Sequence, residues 1–205
     1  MVLRLPLKLI CLTFSLLLLN GCSSIEDSYT SVEWQAHQQR LEQIERYSAA
    51  GKLGYISPQQ RESLSFHWQQ APENQELRLS TFLGQTVLNL SVDATGAKVK
   101  TYEDDVYTDV SADRLISRLT GLNIPVEQLN DWLLGKPTNA DSFTVNERET
   151  LASLTKTING QTWQLFYSSY QDVQFLGSTL PVPHKLKLKQ NDTTINLVIS
   201  KWTFK

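Results

Sequence analysis

From Gly51 onward the chain alternates between apolar and polar positions. Leu64, Phe66 and Trp68 are separated by Ser65 and His67, Leu77 and Leu79 by Arg78, and Leu88, Leu90 and Val92 by Asn89 and Ser91. A period of two puts one apolar and one polar face on each strand. Strands of this kind suit an antiparallel sheet that is wet on one side. Before them, residues 33–50 carry a dilute helical period, with Trp34, Leu41, Ile44 and Ser48 on one side. The middle of the chain is helical. Ser111 predicts the N-cap of a segment to Thr120, with Leu115, Ile116 and Leu119 on one face and Gly121 as the stop. Pro125 stands where a first-turn proline belongs. Leu129, Trp132 and Leu133 share a face of that helix, and Gly135 and Pro137 end it. Strands resume after about residue 143. Asn159-Gly160 is a strong hairpin signal between residues 151–158 and 161–170. Lys185-Leu186-Lys187-Leu188-Lys189 alternates perfectly, and its lysines would protect an exposed sheet face or edge. Ile195 to Ile199 and Trp202 to Phe204 close the chain, and no internal repeat or low-complexity block stands out.

The pattern therefore offers about nine to eleven strands with one apolar side each, and three short helices to cover them. Left flat, such a sheet would expose apolar surface at a cost of roughly 25 cal/mol per Å². The economical solution is mainly β: a strongly curved antiparallel sheet with the helices packed into its concave side, leaving an apolar hollow.

The N-terminus adds a different signal. Arg4 and Lys8 precede an apolar run from Leu9 to Leu19, which ends in Leu19-Asn20-Gly21-Cys22. The run is shorter than the roughly 20 residues a spanning helix needs. It has the length and charged flank of a signal peptide, and its end resembles a bacterial lipobox, in which the cysteine is acylated and becomes the first mature residue. The expected organisation is a signal peptide at 1–21, a lipidated N-terminus and tether at 22–32, and one domain at 33–205. Ser23, rather than Asp, after Cys22 favours sorting to the outer membrane. With Cys11 removed and Cys22 acylated, no disulfide or thiolate metal cluster is available to the mature chain. The net charge of −2 falls to −4 when Arg4 and Lys8 leave. A mildly acidic chain without a long basic run is a poor nucleic-acid binder.

Catalytic chemistry has little to rest on. His37, His67 and His184 are far apart and form no ligand-spaced cluster, and no nucleophile elbow or phosphate-cradling loop is present. His37 and Gln38 are expected to hydrogen-bond to the sheet, His67 to be exposed, and Glu103-Asp104-Asp105 to form a solvated turn. No cofactor or metal is expected. One segment resists a purely structural account. Ser80-Thr81-Phe82-Leu83-Gly84-Gln85-Thr86 joins two strands, where polar turn residues are the norm. Phe82 and Leu83 either fold back into the core, the reading favoured by sequence physics alone, or project as an apolar probe.

A series of motifs in fixed order resembles the outer-membrane lipoprotein LolB family. They are Trp34-Gln35-Ala36-His37-Gln38-Gln39, Phe66-His67-Trp68-Gln69-Gln70 and Leu83-Gly84-Gln85-Thr86-Val87-Leu88-Asn89-Leu90. Then follow Leu119-Thr120-Gly121-Leu122-Asn123-Ile124-Pro125, Trp132-Leu133-Leu134-Gly135-Lys136-Pro137 and Asn159-Gly160-Gln161-Thr162-Trp163, and a final strand containing Trp202. The resemblance implies a half-open β-barrel with a helical lid around an apolar cavity. It implies a monomeric, non-enzymatic receptor on the periplasmic face of the outer membrane, anchored by Cys22. Such a receptor accepts lipoproteins from a LolA-like carrier, holds their acyl chains and inserts them into the membrane. It also implies that Leu83, before Gly84, is the loop leucine needed for insertion, with Phe82 in place of the family's proline. This shifts the expectation for Phe82, Leu83 and Gly84 to a membrane-inserting loop. The candidate lining of the hollow is Leu53, Leu64, Phe66, Trp68, Leu77, Leu79, Leu88, Leu90, Leu115 and Trp132, with plain core packing as their alternative role. A lipid-anchored carrier of another amphiphile and a scaffold without a cavity are the rival functions.

Overall fold

The computed structural model describes residues 28–101 and 104–205. The expected signal peptide, Cys22, the first part of the tether and Glu103 lie outside the described residues. Helix α1 (Trp34–Glu42) leads into strands β1 (Tyr47–Ile56), β2 (Arg61–Ala71), β3 (Asn74–Ser80), β4 (Thr86–Asp93), β5 (Gly96–Lys100) and β6 (Val106–Asp109). Helices α2 (Ala112–Thr120) and α3 (Val126–Trp132) follow, then β7 (Ser142–Val145), β8 (Leu151–Ile158), β9 (Gln161–Phe175), β10 (Ser178–Gln190) and β11 (Thr193–Phe204). The strands form one antiparallel sheet in the order β6-β5-β4-β3-β2-β1-β11-β10-β9-β8-β7. The sheet does not close on itself. Its two edges, β6 and β7, are the strands between which α2 and α3 run in sequence.

The curvature has local causes. Gly51 lies opposite Phe66, and the β1–β11 register slips between Ala50 and Gly51. A Cβ on Gly51 would fall 1.9 Å from the Val198 carbonyl oxygen, so only glycine permits this close bend. A second slip, between Pro183 and Leu186, bends β10 against β9. The two prolines of β10 lie where β11 does not pair with it. Their carbonyls are instead met by side chains: His37 Nε2 lies 2.9 Å from the Pro181 oxygen, and the Trp202 indole donates to that of Pro183. Burial holds His37 below its ordinary pKa, consistent with a neutral ring donating to that carbonyl.

Two expectations are corrected. The N-terminal helix ends at Glu42, not near residue 50, and Ser48 belongs to β1. From Tyr47 the burial alternates, because Tyr47 and Ala49 pair with Phe204 and Trp202 on one side and with Gln70 and Trp68 on the other. Tertiary pairing overrides a helical pattern that was weak to begin with. Pro125 is the N-cap residue of α3, one position before the helix proper. Ser111 and Gly121 cap α2 as expected, Gly121 at φ +71°. Lys185, Lys187 and Lys189 sit on an interior strand, so they line a face rather than an edge.

Candidate functional site

The inward residues of the strands fall into continuous cross-strand rows. One runs Leu154, Leu165, Leu188, Ile195, Tyr55. The next runs Tyr167, Leu186, Leu197, Leu53, Leu64. A third runs Gly51, Phe66, Leu79, Leu88, and a fourth Ala49, Trp68, Leu77, Leu90, Val99. The eight sheet residues expected to line a hollow all stand in these rows. Leu115 of α2 and Trp132 of α3 belong to the same buried cluster, and none of the ten is more than 5% exposed. The rows continue onto β9, β10 and β11, whose inward residues the candidate set did not include. The same period-two alternation marks those strands, so the signal was present there too.

The helices close over this face. The hydroxyl of Tyr47 donates to the Asn130 carbonyl and that of Tyr167 to the Trp132 carbonyl. The Tyr170 hydroxyl donates to the Leu151 carbonyl. Burial pushes all three phenols well above their ordinary pKa, so they stay neutral donors. Helices α2 and α3 also cap one another. Glu127 of α3 accepts from the Ser111 hydroxyl and the Ala112 amide, and Asp113 of α2 accepts from the Glu127 amide. These exchanges satisfy N-terminal amides of both helices and tie them into one unit. Burial, with Glu127 adding to it, pushes the Asp113 carboxyl up to about 6. On the exposed side of α2, Arg114 and Arg118 bind Asp109 of the edge strand β6. That pairing holds Asp109 well below the usual carboxylate range.

A cleft of about 370 Å³ opens between this helical unit and the β8–β9 turn. The polar side of α2 (Asp113, Arg114, Ser117, Arg118) forms one wall, and Ile124, Pro125, Ile158 and Trp163 supply its apolar part. The turn after Ile56, the loop after Ser80 and the turns at 159–160 and 191–192 all lie at this end of the sheet. The β3–β4 loop projects there. The Thr81 amide bonds to the Gln85 carbonyl and the Gly84 amide to that of Thr81, and Gly84 takes φ +84°. Phe82 and Leu83 are 82% and 78% exposed, so the core-packed alternative does not hold for them.

Residues 28–32 are partly fastened to the domain. The Thr30 amide and hydroxyl bond to the Asp172 carboxylate, Arg148 donates to the Tyr29 carbonyl, and the Tyr29 ring lies 5.2 Å from that of Tyr170. His67 is exposed, and Asp104 stands in an exposed turn with Lys100.

The fold, an open antiparallel sheet with helices packed on one face, is shared with solved structures. A LolA superfamily protein of Nitrosomonas europaea superimposes with a TM-score of 0.50 over 85% of this chain and 94% of its own, at 9% identity. A lipoprotein-sorting protein domain of Vibrio parahaemolyticus gives 0.54 over 83% and 90%, at 10% identity. Sequence narrows the class. The family model described as outer membrane lipoprotein LolB matches residues 45–202. The outer-membrane lipoprotein LolB of Vibrio cholerae is 54% identical over 92% of both chains, and that of Vibrio vulnificus is 52% identical over 90% of this chain and 92% of its own. The chain belongs to the outer-membrane lipoprotein LolB family.

Proposed function

We propose that this outer-membrane lipoprotein is a receptor at the end of lipoprotein export. It takes lipoproteins from a LolA-like periplasmic carrier, holds their acyl chains between the concave sheet and the α2–α3 unit, and delivers them into the outer membrane. It works as a monomer, held by acylated Cys22, and breaks no bond. The observation that carries this reading is the exposed Phe82-Leu83 tip at the end of the sheet where the cleft opens.

The energies suit such a task. Each buried methylene is worth roughly 0.8 kcal/mol, so a 16-carbon chain is penalised in water by about 12 kcal/mol. In the free protein the eight sheet residues are buried in one cluster with Leu115 of α2 and Trp132 of α3. A tail therefore enters as the helical unit moves off the sheet, exchanging one set of apolar contacts for another. Handover needs no nucleotide: about 1.4 kcal/mol per step gives a tenfold bias from carrier to receptor to bilayer. Leu83 fully buried in lipid supplies only about 1.5–3 kcal/mol, enough to seat the cleft against the membrane but not to anchor a protein.

The test is transfer of a lipoprotein from its complex with LolA to the mature domain made soluble by Cys22→Ala. Stable co-purification of cargo with the domain supports the reading. Failure to take any acylated peptide counts against the hollow. Uptake of free fatty acid without uptake from the LolA complex favours a carrier of another amphiphile.

A further inference from the structure

The tripeptide Phe-Leu-Gly occurs twice in the chain, at Phe82-Leu83-Gly84 and at Phe175-Leu176-Gly177. The second copy forms the two-residue turn between β9 and β10. Leu176 takes φ +49° and Gly177 φ +77°. This mirror-image turn matches the twist of a hairpin, and its first position favours Asn, Asp or Gly. The β8–β9 and β10–β11 turns follow that preference. Asn159 occupies the same position at φ +51°, and Asn191 at φ +48°. Leucine at this position is sterically disfavoured. Packing does not compensate for it, because Leu176 is 76% exposed. Phe175 beside it is turned inward, 5.5 Å edge-on from Phe204. The tip is thus a single leucine held out on a rigid hairpin. From Val173 to Pro183 the hairpin carries no charged residue of its own, and the one guanidinium against it, that of Arg40, donates to the Thr179 carbonyl and the Ser178 hydroxyl.

Its position relative to the anchor is informative. Thr30 is fastened to Asp172, four residues before Leu176 on the same strand. At a rise of about 3.3 Å per residue, that separates the fastening from the tip by about 13 Å. Cys22 lies seven residues before Tyr29, a reach of at most about 25 Å. An acylated Cys22 therefore holds this end of the sheet close to the lipid surface.

We infer that Leu176 is a second bilayer-contacting tip, seated in the outer-membrane surface beside the lipid anchor and distinct from Leu83. The occupant is lipid rather than a protein partner, because the short chain to the anchor sets this hairpin beside the membrane before any partner arrives. The inference rests on acylation of Cys22. The turn at 176–177 lies at the opposite end of the sheet from the loop at 81–85. Contact through Leu176 leaves the Leu83 end turned away from the membrane while the receptor waits for cargo.

Because Cys22 is the sole cysteine of the mature chain, an introduced cysteine can be labelled uniquely. An environment-sensitive fluorophore on Leu176→Cys is compared with one on Asn191→Cys, which holds the same left-handed first position of a two-residue turn at the other end. Both are placed in the acylated protein in vesicles of phosphatidylethanolamine and phosphatidylglycerol. The expected result is a fluorescence rise of about twofold or more and quenching by nitroxide lipids at 176, with the label at 191 left in water. Equal access of iodide to both labels overturns the inference, as does shielding at 176 that appears only when the LolA-like carrier is added. Failure of the acylated protein to float with vesicles at all would instead reject the anchor, and the inference with it. A second variant isolates the leucine. With the reporter on Ser178→Cys, Leu176→Asn fits the backbone and should return the reporter to the fluorescence of the soluble protein. Shielding that persists without Leu176 overturns its role.

Discussion

The two Phe-Leu-Gly tips are identical in sequence and different in outcome. At residues 82–84 both apolar side chains project, whereas at 175–177 only the leucine does, and the phenylalanine packs against Phe204. The cause is the frame in which the turn reads the tripeptide. The longer loop at 81–85 places its positive φ on Gly84, so Phe82 and Leu83 keep ordinary backbone and both clear the sheet. The tight turn at 176–177 needs two left-handed residues, so Leu176 must be one of them, and Phe175 remains a strand residue facing inward. Projection of an apolar group is therefore a property of turn geometry rather than of hydrophobicity.

The sharpest test of this difference is the pair of phenylalanines. Phe175→Ala removes a side chain that is only 9% exposed and should destabilise the fold by about 3 kcal/mol in denaturant titration. Phe82→Ala should change stability by less than about 0.5 kcal/mol. Equal effects would mean that the two tips are packed alike. Next comes Leu83→Glu. The glutamate forfeits the apolar contribution of the leucine and adds a charge that resists entering lipid. Delivery into liposomes should fall about ten- to hundredfold, with cargo uptake and thermal midpoint unchanged. Undiminished delivery would reject Leu83 as the inserting residue.

The two ends of the sheet also differ in how far the sequence disclosed them. The alternation Leu64-Phe66-Trp68 and Leu77-Leu79 was readable directly, because a half-buried sheet imposes period two whatever its partners. Ser111 and Gly121 marked α2 for the same local reason. The Phe82-Leu83 tip stood out because apolar residues interrupted a turn. Leu176 was not singled out: Gly177-Ser178 beside it are ordinary turn residues, and only the register shows that the left-handed first position of the turn falls on the leucine. Nor could the sequence reveal that Tyr29 is fastened to the β7–β8 loop and Thr30 to Asp172 of β9, since these partners lie more than a hundred residues away. The reciprocal capping of α2 and α3 was hidden likewise, since Glu127 and Asp113 cap each other's helices across a turn.

That capping gives the cleft end a pH dependence. Asp113 titrates at about 6 in the fold, raised chiefly by burial, against about 4 in an unfolded chain. The native state thus binds the proton more tightly, and stability falls as pH rises from about 4 to about 6. Asp113→Asn keeps an oxygen to accept from the Glu127 amide and carries no buried charge. It should raise stability at pH 8 by about 1–2 kcal/mol and leave it unchanged below pH 4. Denaturant midpoints across that range check it. A variant less stable than the wild type at pH 8 would mean that the charged carboxylate contributes more as a cap than its burial costs.

The smallest expected effect bears most directly on the contrast between the tips. In water Leu176 packs on little, so replacing it should cost little, while asparagine tolerates the left-handed backbone that leucine resists. Leu176→Asn should therefore stabilise the soluble domain by about 0.5–1 kcal/mol, seen as a rise of about 1–3 °C in Tm. Leu83→Asn, made where φ is not positive, should shift Tm by less than about 1 °C. A gain at one tip and none at the other would show that strain, rather than exposure, separates them. It would also mean that the fold retains a destabilising leucine at 176, as expected where a side chain serves a surface outside the domain. If Leu176→Asn lowers Tm, the leucine is packing against something within the free protein, and the resemblance between the two tips ends at their sequence.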